Sequence, residues 1–253
     1  MGIKSSLSIT VIFLILMQIS GCTSLEVNSS TYQDDKELVV LAHGLGRSEG
    51  AMWKLEQRLE EANFNVCTLD YDTIGERVET VLTETSKQID ACLRNASKVH
   101  NPKAHFVGHS LGGLAIRSYL QNNQEKLTKQ VVGKVVLMGT PNKGSELADH
   151  LSDTWLMKLG GEISRALVTG KDSLGNNLEE SDLNLGIIAG TKSSSLTHKL
   201  FSGPNDGLVS VESAKLTSMN DFIEIEVTHT QMRYDLDVAE QTINFLKQGT
   251  FIH

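Results

Sequence analysis

The chain has 253 residues, enough for one α/β domain, and a formal charge of −8. That acidic balance, with no basic run, argues against nucleic acid or anionic lipid headgroups as electrostatic partners. No internal repeat or low-complexity block interrupts it.

At the N-terminus Lys4 precedes an apolar run from Leu7 to Ile19. The run is shorter than the roughly 20 residues of a membrane-spanning helix and suits the core of a secretory signal. It ends in Ile19-Ser20-Gly21-Cys22, which resembles the lipobox of bacterial lipoproteins: an aliphatic residue, two small ones, then cysteine. That resemblance implies cleavage before Cys22, diacylglycerol on its sulfur and acylation of the new amino group. Several buried chains anchor stably where a single chain binds only marginally. The alternative is an ordinary signal peptide with a cysteine near its end. Thr23 in place of Asp after the cysteine resembles lipoproteins held at the periplasmic side of the outer membrane. The expected division is therefore 1–21 signal peptide, 22–36 tether rich in Ser, Thr and Asp, and 37–253 folded domain. Loss of residues 1–21 leaves 22 basic and 31 acidic residues, a charge of −9.

Beyond the tether, short apolar runs alternate with amphipathic stretches. Strands are expected at Leu38–Ala42, Phe64–Leu69, Ala104–Val107, Lys134–Met138, Leu185–Ala189 and Phe222–Val227. Several are nearly continuous in Val, Ile and Leu, as in parallel sheets covered on both faces. Helical spacing joins Met52, Leu55 and Leu59; Val78, Val81, Leu82 and Ile89; Leu111, Leu114 and Ala115; and Val238, Ala239, Ile243 and Leu246. Such alternation predicts an α/β fold, a doubly wound and mostly parallel sheet of about six strands with right-handed crossovers. Cys67 and Cys92 could pair in an oxidising periplasm, but depth in the fold favours two separate buried thiols. Cys67 lies about 13 Å below its strand's top, whereas Cys92 lies about 24 Å down a helix descending from the same rim. A stripe of Leu151, Trp155, Leu159, Ile163 and Leu167 falls in the 39 residues from Ser145 to Leu183. It reads either as a small apolar cap guiding acyl chains or as a helix covering the sheet.

Ligands of such sheets collect at the carboxyl ends of the strands. After the third expected strand comes Gly108-His109-Ser110-Leu111-Gly112-Gly113. A serine with small neighbours two residues to either side fits a sharp strand-to-helix turn that lifts its oxygen clear of the sheet. After the first strand comes His43-Gly44-Leu45-Gly46, whose Leu45 amide is a candidate oxyanion donor. The second candidate is the Leu111 amide, at the start of the helix after Ser110, where N–H groups are free and the dipole favours negative charge. A serine nucleophile needs a base oriented by an acid. His229 lies just past the last strand and follows the best acid, whereas His150 and His198 precede it and His253 is terminal. That acid is Asp206, in the turn Ser202-Gly203-Pro204-Asn205-Asp206-Gly207; Asp172, Asp182, Glu224 and Glu226 are competitors. His109 is expected to point away from the nucleophile and to pack.

Together His43–Gly46, Gly108–Gly113, Gly139-Thr140-Pro141-Asn142-Lys143-Gly144-Ser145 and Asn205-Asp206-Gly207-Leu208-Val209 resemble the α/β-hydrolases of the bacterial lipase/esterase group, over Glu37 to Lys247. The resemblance implies Ser110 as nucleophile, Asp206 as acid, His229 as base, and Leu45 and Leu111 as oxyanion donors. It implies hydrolysis of an acyl-ester or lipid substrate with no cofactor. The rivals are an acyltransferase or phospholipase using the same triad, and a catalytically silent envelope-binding lipoprotein. Two departures stand out. Asn142 occupies the place where many of these lipases have histidine, and too few residues precede Leu38 for two further strands. Calcium-dependent members carry an aspartate almost directly after the histidine. Here Asp235 and Asp237 come later, so no metal is expected.

Overall fold

The computed structural model describes residues 32–33, 35–97, 103–127, 131–151, 161–193 and 197–253. The expected signal peptide, Cys22 and most of the tether lie outside these residues, as do Trp155 and Leu159 of the stripe.

Six strands form one all-parallel sheet: β1 (Leu38–Ala42), β2 (Asn65–Thr68), β3 (Ala104–His109), β4 (Val132–Met138), β5 (Asn184–Gly190) and β6 (Asp221–Ile225). Every expected strand is present, its ends within two residues of the sequence reading. The reason is that these runs are buried on both faces, so β-branched and aliphatic side chains continue through them. In β1, Leu38, Val40 and Ala42 enter one core while Val39 and Leu41 enter the other, and all five are at most 1% exposed.

Seven α-helices cover the sheet among the described residues: α1 (Trp53–Glu61), α2 (Val78–Ala96), α3 (Leu111–Asn122), α4 (Glu146–Leu151), α5 (Gly161–Arg165), α6 (Val211–Ala214) and α7 (Leu236–Gln248). The core holding Ile89, Leu114 and Tyr119 lies under α2 and α3; the core holding Leu55, Leu59, Val238 and Leu246 lies under α1 and α7. Asp235 caps α7 by accepting the amides of Asp237 and Val238, which gives the first of the two late aspartates a structural task. The last turn of α7 closes on Gly249 at φ 86°.

The strand order is β2-β1-β3-β4-β5-β6. The chain leaves β1 to one side for β2 and returns on the other for β3, so the order reverses beside β1. A crevice opens there beyond the carboxyl ends of β1 and β3, where this class of sheet binds its ligands.

One expectation needs correction. Cys67 and Cys92 form a disulfide, with Cα atoms 6.1 Å apart. The depth comparison started the helix at the strand's top, but residues 69–77 intervene before α2 begins. Depth along that helix is therefore not measured from the sheet's rim. Contact with the domain begins inside the stretch expected as tether. Tyr32 packs on the core, and Asn65 pairs with both the N–H and the carbonyl of Gln33.

Candidate active site

Ser110 stands between β3 and α3 with φ 56° and ψ −125°. A non-glycine residue in this region stores about 1–3 kcal/mol of strain and persists only where its surroundings hold it. Here the Ser110 amide donates to Met138 O at 2.9 Å and its carbonyl accepts from Gly113 N at 3.0 Å. The flanking glycines make the turn sterically possible. A Cβ on Gly108 would lie 2.5 Å from Gly113 Cα, and one on Gly112 would lie 2.5 Å from the carbonyl oxygens of Ala42 and His43. Bare backbone at both positions lets the start of α3 seat against β3 and the end of β1, with Leu111 as the helix's first residue.

The loop after β1 closes over the same point. A Cβ on Gly44 would come within 2.9 Å of Ser110 Cβ, so the chain leading to Leu45 runs directly past the serine. His43 holds that loop. Its ring stacks on Tyr71 at 4.0 Å, Nδ1–H donates to Gly44 O, and the Tyr71 hydroxyl donates to the His43 carbonyl. Burial pushes the His43 imidazole toward its neutral form.

On the other side, the loops after β5 and β6 bring Asp206 and His229 together. Asp206 Oδ2 lies 2.7 Å from His229 Nδ1, with the two residues 2% and 6% exposed. Asp206 Oδ1 accepts the amides of Leu208 and Val209 at 2.9 and 2.7 Å, and the Asp206 carbonyl accepts the His229 amide at 2.9 Å. The carboxylate is thus fixed by its own turn before it meets the imidazole, and Nδ1 carries the proton between them. Ring nitrogen Nε2 is left as the one able to accept. The competing acids Asp172, Asp182, Glu224 and Glu226 are all exposed, as are His150, His198 and His253.

Ser110, His229, Leu45 and His109 line one cavity of about 200 Å³. Its apolar wall comes from Leu147, Ala148 and Leu151 of α4, Leu167 past α5, and Leu208 and Val209. Of the expected stripe, Leu151 and Leu167 face this space and Ile163 is buried in the core, so its described part both walls the cavity and covers the sheet. Asn142 is a brace. It accepts from Arg117 Nη1 at 3.0 Å and donates to Ala214 O at 2.7 Å, tying α3 to α6. Burial holds Arg117 down at about 10. Among the described residues no group of three or more His, Cys, Asp or Glu could hold a metal ion.

The expectation for His109 is corrected. Its side chain does not point away: Nε2–H donates to His229 O at 2.9 Å and its ring lies 4.6 Å from the His229 ring. Burial, reinforced by His229 nearby, holds its basicity well below the ordinary histidine value, so it stays neutral with a buried Nδ1 that has no partner. Arg47 and Arg233 also line the cavity and were missed. Neither sits in a recognisable motif. The one available signal was that Arg233 lies four residues beyond His229.

These features define an α/β-hydrolase, a hydrolase of ester bonds. Residues 38–178 match the palmitoyl protein thioesterase family, and the chain belongs to it. No curated protein matches the chain. Among solved structures it is similar to the mature lipase BlEst2 of Bacillus licheniformis, with TM-score 0.65 and 20% identity over 88% of this chain and 96% of that one. It is also similar to the phospholipase PlaB of Legionella pneumophila, with TM-score 0.55 and 17% identity over 71% of this chain and 46% of that one. A third is a 2-hydroxy-6-oxo-6-phenylhexa-2,4-dienoate hydrolase from Rhodococcus, with TM-score 0.54 and 14% identity over 86% and 92%.

Proposed function

We propose that this protein hydrolyses acyl esters or thioesters through a covalent acyl-serine at Ser110. The observation that carries the reading is the strained Ser110 opening on the same cavity as a histidine whose other nitrogen is locked by a buried carboxylate. His229 Nε2 takes the hydroxyl proton as the serine oxygen attacks the substrate carbonyl. Asp206 stabilises the imidazolium that results. The tetrahedral oxyanion is held by the amides of Leu45 and Leu111, the second of these at the start of α3. His229 then hands its proton to the departing alcohol or thiol. A water molecule, deprotonated in turn by His229, attacks the acyl-serine and releases the carboxylic acid.

The family's name favours thioesters of long acyl chains, and the leucine-rich wall offers an acyl chain an apolar surface. Cys22, by its lipobox-like setting, is proposed to carry the lipid that holds the enzyme at the periplasmic side of the outer membrane. Turnover of paired p-nitrophenyl esters and acyl thioesters tests the reading. Ser110→Ala is expected to lower kcat by about 10⁶-fold. Asp206→Asn, which keeps an acceptor for the turn amides but presents an NH₂ group or the wrong tautomer to His229, is expected to lose about 10⁴-fold. Wild-type rates in the Ser110→Ala protein would overturn the assignment.

A further inference from the structure

Arg233 is a buried cation without a counter-ion. It is 8% exposed, in the 3-10 turn after His229, and lines the cavity that holds Ser110. Its Nη1 donates to Ala51 O at 3.1 Å, and its Nε is buried with no acceptor. Among the described residues it enters no ion pair, and neither does Arg47, which lines the same cavity. A guanidinium left this way is costly, because the fork normally answers burial with a carboxylate or phosphate. Burial, followed by the like charge of Arg47, pulls Arg233 below the ordinary arginine value, and no carboxylate offsets either effect. The cavity lining is therefore of two kinds, two cations and an apolar set that includes Leu147, Leu151, Leu167 and Leu208.

Resting on the hydrolase reading above, we infer that Arg233 and Arg47 form a phosphate subsite beside the nucleophile, selecting acyl esters whose alcohol carries a phosphodiester. Two guanidinium groups lining one cavity match the several oxygens of a phosphate better than a neutral hydroxyl. The apolar wall then takes the acyl chain, and the reacting carbonyl lies between. This geometry fits a glycerophospholipid, whose ester and phosphate sit on neighbouring carbons of one glycerol unit. The molecule's net charge of −8 repels surfaces of net negative charge but leaves two cations that line the cavity, Arg233 buried and Arg47 exposed, free to bind one phosphate. A zwitterionic headgroup satisfies both conditions.

The test compares lysophosphatidylethanolamine with a monoacylglycerol of the same short acyl chain, both below their micelle-forming concentrations. Wild-type kcat/KM is expected to favour the phospholipid by about 10-fold or more, the scale of one charge-assisted hydrogen bond. The preference should collapse toward unity in Arg233→Gln combined with Arg47→Gln, and persist in part in Arg233→Lys. Arg47→Gln alone should narrow the preference too; its site is exposed, so this variant tests the idea even if loss of the Ala51 contact unfolds the other. Equal rates on both lipids, or variants that slow both by the same factor, would overturn the subsite. Calorimetric binding of the same two lipids to Ser110→Ala protein separates this idea from the hydrolase reading. Tighter binding of the phospholipid without wild-type turnover sustains the subsite and sinks the hydrolase. Turnover without any binding preference does the reverse.

Discussion

The hydrogen bond from His109 Nε2 to the His229 carbonyl ties the proposed base to the residue beside the nucleophile. Its partner atom is main chain, so it acts on where His229 sits rather than on the proton it carries. His109→Phe keeps the ring's bulk and removes the donor, leaving a buried carbonyl short of a partner at about 1–3 kcal/mol. A roughly 10-fold fall in kcat with little change in KM is expected, with recovery in His109→Gln, whose amide can donate. If His109 merely packs, Phe will be the better tolerated of the two. The contact was hidden in the sequence because a neighbour of the nucleophile has no fixed direction until the loop after β6 is in place. That Ser110, Asp206 and His229 would gather at the strand ends, by contrast, was legible, because order along the chain and position restrict them strongly. Arg233's place at the cavity was not, since a loop arginine reaches it only through the fold around it.

Between elements, the disulfide from β2 to α2 is the one covalent tie across the sheet and its covering helix among the described residues. With its ends 25 positions apart in sequence, it limits the unfolded chain by about 3–4 kcal/mol in the chain-entropy description. Cys67→Ser combined with Cys92→Ser, or full reduction, should lower the unfolding free energy by that amount, and the urea midpoint with it, while ester turnover at 25 °C stays intact. An unchanged midpoint would show that the bond does not form in the folded protein. Strand positions were readable because burial on both faces writes a continuous apolar run into each. The pairing was not, because where a helix starts depends on the length of the loop before it, and nothing in residues 69–77 marks how that loop runs.

Across the whole molecule, three buried histidines link stability to pH. His43, His105 and His109 are all pushed below the ordinary value near 6.5, in each case chiefly by burial. Below pH 6.5 the unfolded chain binds protons at these sites that the folded chain refuses, so stability is full above that pH and falls as pH drops below it. Each contributes at most about 1.4 kcal/mol per pH unit within its own window. Urea midpoints measured from pH 7.5 to pH 5 should therefore decline, with a shallower slope in His109→Gln. A flat profile over that range would contradict the buried, neutral state of these rings. The parallel sheet and a site at the carboxyl ends of its strands were implied by the alternation of elements, whereas the strand order that opens the crevice beside β1 was not. The polarity of the cavity was not, because it comes from loops whose residues meet only in three dimensions.

The most direct test of the central claim is labelling of the folded protein with a fluorophosphonate, with the modified peptide located by mass spectrometry. One label per chain on Ser110, lost in Ser110→Ala and strongly slowed in His229→Ala, is the expected result. Absence of label in folded protein, or a label that survives Ser110→Ala at another serine, would contradict it.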